Sequence, residues 1–416
     1  MSKLIKTFSK KIKIVYRWYQ EGQFWRQVKI KLFARFGGFK LFFPVSYFVK
    51  INNHKVVCVS YSGIYHAGNP AYIADKIREM CTDAEIVWLV DQKKSLLTKE
   101  QYAENVVDLY SFRAMYELAS ARIWIDNARK SIYVPKKDGQ FYLQTWHGGV
   151  ALKKVEGDAE AQLSHNYIKI AKLDTTHTDL MLSNSRFCTE MYRRAFWYDG
   201  EILEKGLPRN DFLFHHPNFS ENQVKEKIGV RKEHKLLLYA PTFRKNEEEF
   251  PYIVDFSGII DCLERKLETQ VTVIVKHHPN IRKLTKNISY KGRVVDATDY
   301  PDIQELYLIS DFLITDYSST MFEFSMLKKP VFLYINDWEN YKNNDRGFYF
   351  DFEELPFAKA YSMKELLASI HSFDINSYNT KLEHFFSRIG LCESGAATDA
   401  AASYLVSILK ERMEIQ

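Results

Sequence analysis

The sequence predicts an α/β protein of two Rossmann-like domains facing each other across a cleft, and three observations lead there. From Lys55 onward, apolar β-branched runs alternate with helical patterns, the signature of parallel sheets covered by helices on both faces. Ten such runs are too many for one sheet of ordinary size. The turn-like segment Asp211–Asn222, with its His-His-Pro-Asn, divides them five and five. With 416 residues, 46% of them hydrophobic and 15% aromatic, the chain can bury two cores and is not disordered.

Taken in order, residues 51–213 are expected to form the first domain, with strands near Val56–Ser60, Glu85–Val90, Arg122–Asp126, Phe141–Trp146 and Asp179–Ser183. Asn69-Pro70 reads as an N-cap followed by proline at the first helical position, and Ser111 and Ser185 read as caps of two further helices. Residues 214–416 are expected to form the second domain together with a C-terminal helix. Its strands are Lys235–Ala240, Val271–Lys276, Arg293–Asp296, Asp311–Thr315 and Pro330–Ile335.

Residues 1–50 stand apart as a basic amphipathic helical element. They hold 12 Lys/Arg against the single acid Glu21, a local charge of +11, while the whole chain carries only +6. Thirteen aromatics interleave with these cations, as in Tyr16-Arg17-Trp18-Tyr19 and Phe24-Trp25-Arg26. Cations drawn to anionic lipid and aromatic rings settling among headgroups are what peripheral membrane binding requires. Packing of a basic-faced helix on its own protein is the alternative that composition leaves open. A nucleic-acid partner is not expected, because a binding groove would need its cations within the folded domains.

The five cysteines are odd in number and widely spaced, with no C-x-x-C pair, which argues against disulfides or a zinc knuckle. No D-x-D, H-E-x-x-H or clustered His/Cys/Asp set appears, so neither a metal nor a cofactor is expected. There is no P-loop and no well-placed G-x-G-x-x-G. The longest early uncharged run, Leu41–Val49, is interrupted by Pro44 and is too short to span a bilayer. No signal peptide is evident, so the expected compartment is cytoplasmic.

In open α/β sheets, ligands bind beyond the carboxyl ends of the strands, and four of those ends are unusual. One run ends in His147-Gly148-Gly149, placing an imidazole able to act as general base on a loop open to close approach. A second ends in Ala-Pro-Thr-Phe-Arg244 and a third in Lys276-His277-His278-Pro279-Asn280, each setting a cation or imidazole where a phosphate can meet it. Adjacent His277 and His278 point to opposite sides of an extended segment and make no ligand pair. The fourth end, Thr-Asp316-Tyr317-Ser318-Ser319-Thr320, opens a helix whose free N–H groups and hydroxyls suit a diphosphate. Taken singly, His147 also fits a structural histidine, and Ser318 and Ser319 fit ordinary N-caps.

At these residues the sequence resembles the CDP-glycerol glycerophosphotransferase family of teichoic-acid primases and polymerases. The matching strings are Gln-Thr-Trp-His147-Gly148, Leu-Ser-Asn-Ser185, Gly206-Leu-Pro208-Arg209-Asn210-Asp211, Tyr-Ala-Pro-Thr-Phe-Arg244, Lys276-x-His278-Pro279-Asn280, Ile-Thr-Asp316-Tyr-Ser318-Ser319-x-Met-Phe-Glu323 and Arg346-Gly347-Phe-Tyr-Phe-Asp351. The resemblance implies a GT-B-like architecture, with nucleotide on the C-terminal domain, acceptor on the N-terminal domain and a membrane-facing N-terminal element. It implies that His147 is the catalytic base and His278 a second essential histidine near the diphosphate. Ser318 and Ser319 would contact the diphosphate, and Glu323 would lie near the ribose. Arg209, Asn210 and Arg244 are motif residues assigned to the nucleotide and diphosphate site. The chain departs from the family's His-Gly-Thr-Pro string with His147-Gly148-Gly149-Val150, which leaves the acceptor and the polyol open.

The implied activity is transfer of a polyol phosphate, glycerol phosphate foremost, from a CDP-polyol to a hydroxyl of a lipid-linked or polymeric acceptor, with release of CMP. It would take place at the cytoplasmic face of the membrane. Two other readings stand beside it: a GT-B glycosyltransferase using a nucleotide sugar, and a catalytically silent membrane-associated scaffold.

Overall fold

The computed structural model describes residues 43–64, 66–92, 105–130, 135–216, 219–242, 254–277, 290–344 and 346–411. Arg244, His278 and most of the basic element 1–50 lie outside the described residues.

The first sheet contains β1 (Asn52–Val59), β2 (Glu85–Val90), β3 (Asn105–Asp108), β4 (Ala121–Asp126), β5 (Phe141–Gln144), β6 (Leu180–Ser183) and β7 (Glu201–Glu204). The second contains β8 (Lys235–Tyr239), β9 (Val271–Val275), β10 (Val294–Asp296), β11 (Phe312–Thr315), β12 (Val331–Tyr334) and β13 (Ala358–Ala360). The spatial orders are β3-β2-β1-β4-β5-β6-β7 and β10-β9-β8-β11-β12-β13, and the paired strands are parallel throughout. In both sheets the strand order therefore reverses near the centre, between β1 and β4 and between β8 and β11. Such switch points open crevices at the carboxyl ends of the strands.

All ten strands read from the sequence are present, and three more were not foreseen. β3, β7 and β13 are sheet edges, four, four and three residues long, and mostly half-buried. A strand with one covered face needs few apolar residues, so Asn-Val-Val-Asp, Glu-Ile-Leu-Glu and Ala-Lys-Ala give runs of two residues or fewer; the fourth edge, β10, was read from an equally short Val-Val. The central strands β1, β4 and β9 are buried along most or all of their length.

The turn-like segment is partly helical, since Asp211 to Phe214 belong to the helix Pro208–Phe214. Ser111 and Ser185 cap their helices as expected, accepting from Ala114 N and Cys188 N at 3.1 Å each. Asn69 does not cap. Gly68, at φ 69°, precedes the helix Asn69–Met80, and the Asn69 side chain turns away to other partners.

The two units share one apolar cluster that joins Met181, Tyr192 and Phe196 to Leu236, Tyr307, Phe322 and Phe385. Where the sequence reading placed the C-terminal helix with the second unit, Ala397–Lys410 instead packs on the first. Leu405, Val406 and Leu409 lie with Val56, Ile73, Ile77 and Trp88, covering a face of the first sheet that would otherwise meet water.

Candidate functional site

A cavity of about 560 Å³ lies between the two units, at the carboxyl ends of β5, β8, β9 and β11. His147 faces it from the loop after β5. Trp146 leaves the strand at φ 53° and sets its ring 4.2 Å, centroid to centroid, from the imidazole. His147 Nδ1 lies 2.8 Å from the carbonyl of Asn127, just past β4. A carbonyl can only accept, so Nδ1 carries the proton and Nε2 keeps its lone pair. Loss of bulk water within the cleft lowers the imidazole pKa to about 4, aided by the positive charges of Arg209 and Arg346 and opposed by the bond to Asn127. At neutral pH the ring is neutral and able to accept a proton.

The two glycines after His147 differ in their reasons. Gly148 has open space where a side chain would begin, whereas a Cβ on Gly149 would overlap the Asn184 amide. Packing against Asn184 thus requires the second glycine, and only the first leaves open space.

Opposite, Ser318 and Ser319 line the cavity ahead of the helix Thr320–Ser325. Ser319 holds the N-cap position without a side-chain cap bond, its Oγ accepting instead from Leu152 N of the first unit at 3.4 Å, while Ser318 Oγ pairs with the Thr320 hydroxyl and accepts from Thr320 N at 3.3 Å. Arg209 and Glu323 also line the cavity and form a buried ion pair across the units, with side chains 10% and 7% exposed. Burial opposes the Arg209 charge, but Glu323, with Tyr61 and Tyr307, more than restores it. Arg209 Nη1 donates to the Tyr61 hydroxyl at 3.1 Å, and Glu323 Oε2 is 3.5 Å from Gln304 Nε2.

Lys276 and His277 line the cavity too, and Lys276 Nζ is held 2.8 Å from the Thr298 carbonyl. The ring of His277, itself buried, is 2.6 Å from the Tyr290 hydroxyl, and burial lowers its pKa to about 4. Arg346 reaches the same cavity on a segment that pairs with the first unit: Lys154 N donates to Gly347 O at 2.9 Å, and Lys153 and Phe348 form a bridge. Asn210 is not brought to the cavity. It is fully buried, with Nδ2 2.6 Å from Glu393 Oε1. Arg244 and His278 lie outside the described residues.

Among the described lining residues, Lys153, Arg209, Lys276 and Arg346 set four cations against the carboxylates of Glu156 and Glu323. The excess favours a polyanionic ligand. No three His, Cys, Asp or Glu side chains among the described residues converge closely enough to hold a metal ion.

Several contributors went unread or misread in the sequence. Asn127 sits just past β4, where a strand-end search would have found it. Glu156, at φ 48°, accepts from Tyr167 at 2.5 Å and from Arg129 at 3.2 Å. Asn69 ties Arg209 N, at 3.1 Å, to the carbonyl of Trp146, at 3.2 Å. Glu393 has no local signal at all.

Comparison with known proteins agrees with this fold. The family described as CDP-Glycerol:Poly(glycerophosphate) glycerophosphotransferase matches residues 41–406. A teichoic acid poly(glycerol phosphate) polymerase of Bacillus spizizenii is 31% identical over 371 residues, which are 85% of this chain and 92% of that protein. A teichoic acid glycerol-phosphate transferase of Staphylococcus aureus is 30% identical over 360 residues, 83% of this chain and 91% of its own. A solved structure of a variant of the wall teichoic acid polymerase TagF soaked with CDPG superposes with a TM-score of 0.76 at 27% identity, covering 86% of this chain and 90% of that one. With the family matched over most of its length and relatives at 30–31% identity, the chain belongs to the CDP-glycerol glycerophosphotransferase family of enzymes.

Proposed function

We propose that this enzyme transfers glycerol phosphate from CDP-glycerol to a hydroxyl of a growing teichoic-acid-type acceptor and releases CMP. The observation that carries the reading is His147, its proton fixed on Nδ1 by the Asn127 carbonyl, facing Ser318 and Ser319 across a cation-rich cavity. In this mechanism Nε2 takes the acceptor's hydroxyl proton as the oxygen attacks the phosphorus that bears glycerol. The bond from that phosphorus to the bridging oxygen breaks, and CMP leaves with the electron pair. Arg209, Lys276 and Arg346 oppose the charge growing on the diphosphate, the contribution expected to dominate such a step.

The donor fits the second unit, near 214–396, and the acceptor the first. Ser318 and Ser319 supply donors to the diphosphate, and Glu323 Oε2 keeps capacity for a ribose hydroxyl beyond its 3.5 Å contact to Gln304. Arg244 and His278 keep the roles the resemblance implies. Asn210 acts on the framework of the site rather than on the nucleotide.

A lipid-linked start of the acceptor accords with the charge of residues 1–50, which suits attachment to the cytoplasmic face of an anionic membrane. No described helix is long and apolar enough to cross a membrane.

The test is His147→Ala. Its kcat should fall by about 10²–10⁴-fold while calorimetric affinity for CDP-glycerol stays within about twofold. Wild-type turnover in the folded variant would remove His147 from the mechanism.

A further inference from the structure

A ring of polar contacts surrounds the loop that carries His147, and one member comes from the far end of the chain. Glu393 follows the helix Ile375–Ile389, in the segment that returns from the second unit to the first. Backbone pairing fixes that segment: Arg186 N donates to Gly390 O at 3.1 Å, Cys392 N donates to Asn184 O at 2.9 Å, and Ser185 and Leu391 form an antiparallel bridge. The Glu393 carboxylate then accepts from Asn184 Nδ2 at 3.0 Å, Asn210 Nδ2 at 2.6 Å and Leu207 N at 3.1 Å.

Two of these partners lead to the base. The Asn184 amide lies against Gly149, two residues beyond His147. Asn210 follows Arg209, whose N–H donates to Asn69 Oδ1 at 3.1 Å, and Asn69 Nδ2 donates to the carbonyls of Thr145 at 3.4 Å and Trp146 at 3.2 Å. Contact therefore arrives on both sides of His147 from one carboxylate that does not itself line the cavity.

We propose that Glu393 is a positioning residue for the transfer reaction, its carboxylate holding the Asn184 and Asn210 amides and through them both flanks of the His147 loop. The proposal rests on His147 being the base. Its chemistry follows from the partners, all three of which are donors. Burial pushes the Glu393 carboxyl up to about 7 against the pull of these three donors; once ionised, it meets them with two oxygens that carry no hydrogen. An amide of the same shape turns an NH₂ group toward at least one donor. Glu393→Gln therefore changes hydrogen bonding with almost no change in volume.

Two variants test this, Glu393→Gln and Gly149→Ala. The second leaves Glu393 unaltered and presses on Asn184 from the loop side. Titration calorimetry with CDP-glycerol counts the competent sites, so kcat is expressed per folded site; a merely structural role would lower their number and not the turnover of each. The expected result is a fall in kcat per site of about 10–100-fold, the scale of a small misplacement of a reacting group, with donor affinity within about twofold. Unchanged kcat per site in Glu393→Gln, or a loss confined to donor affinity, overturns the proposal. Where Glu393→Gln does not fold, Gly149→Ala decides by the same criteria. A wild-type chain that does not turn over CDP-glycerol would count against the functional reading alone. The positioning claim is then read from ¹⁵N-histidine spectra, in which His147 holds its proton on Nδ1 in the wild type and shares it with Nε2 in the variants. Identical spectra would overturn it.

Discussion

His147 poses a question of base strength. A pKa of about 4 keeps the ring neutral but makes it a weak base. The lowering comes from loss of water and from Arg209 and Arg346, so a bound diphosphate, which brings negative charge to the same cavity, should raise it. Titration of the His147 ring by NMR should give a midpoint near 4 in the free enzyme and a higher one with CDP bound. A free-enzyme midpoint at or above the ordinary 6.5 would contradict the electrostatic account. Because the folded value lies below the unfolded one, the stability that the neutral ring contributes is present above about pH 6.5 and is lost as pH falls through about 4. The residues legible in the sequence, His147, Lys276, Ser318 and Ser319, were so because they directly follow apolar runs. Asn69 was misread because Asn-Pro at a helix start has one local signature whether the side chain caps or reaches elsewhere. Glu393 could not be read, since its partners lie about 180–210 residues away in sequence and meet it only through the fold.

Between elements, the Arg209–Glu323 pair joins the helix Pro208–Phe214 of the first unit to the helix Thr320–Ser325 of the second. Removing only one member strands the other charge in a place that is nine-tenths buried. Arg209→Ala should therefore cost about 3–5 kcal/mol in denaturant unfolding, and the double variant Arg209→Met with Glu323→Gln markedly less. Equal losses in the two would show that the charges are not coupled. Strand prediction divides along similar physical lines. Strands buried on both faces were visible as continuous apolar runs, whereas of the four sheet edges only β10 was read and the equally short, half-buried β3, β7 and β13 were not.

For the whole molecule, the alternation of strands and helices was enough to give two parallel sheets. The return of the last helix to the first unit was not legible, because Ala-Ala-Ala-Ser-Tyr-Leu-Val is equally suited to either core. The basic segment lends itself to direct test. A chain beginning near Asn52 should remain folded yet lose co-sedimentation with anionic liposomes, and binding of the full chain should weaken as salt rises. Equal sedimentation of both would assign the segment to packing. The central claim is the point of bond cleavage. The chain is incubated with CDP-glycerol and a glycerol-phosphate acceptor, and the spent nucleotide is separated by chromatography. The account predicts CMP in step with acceptor growth by phosphodiester units. Release of a nucleoside diphosphate from a nucleotide sugar, with CDP-glycerol left intact, would contradict it.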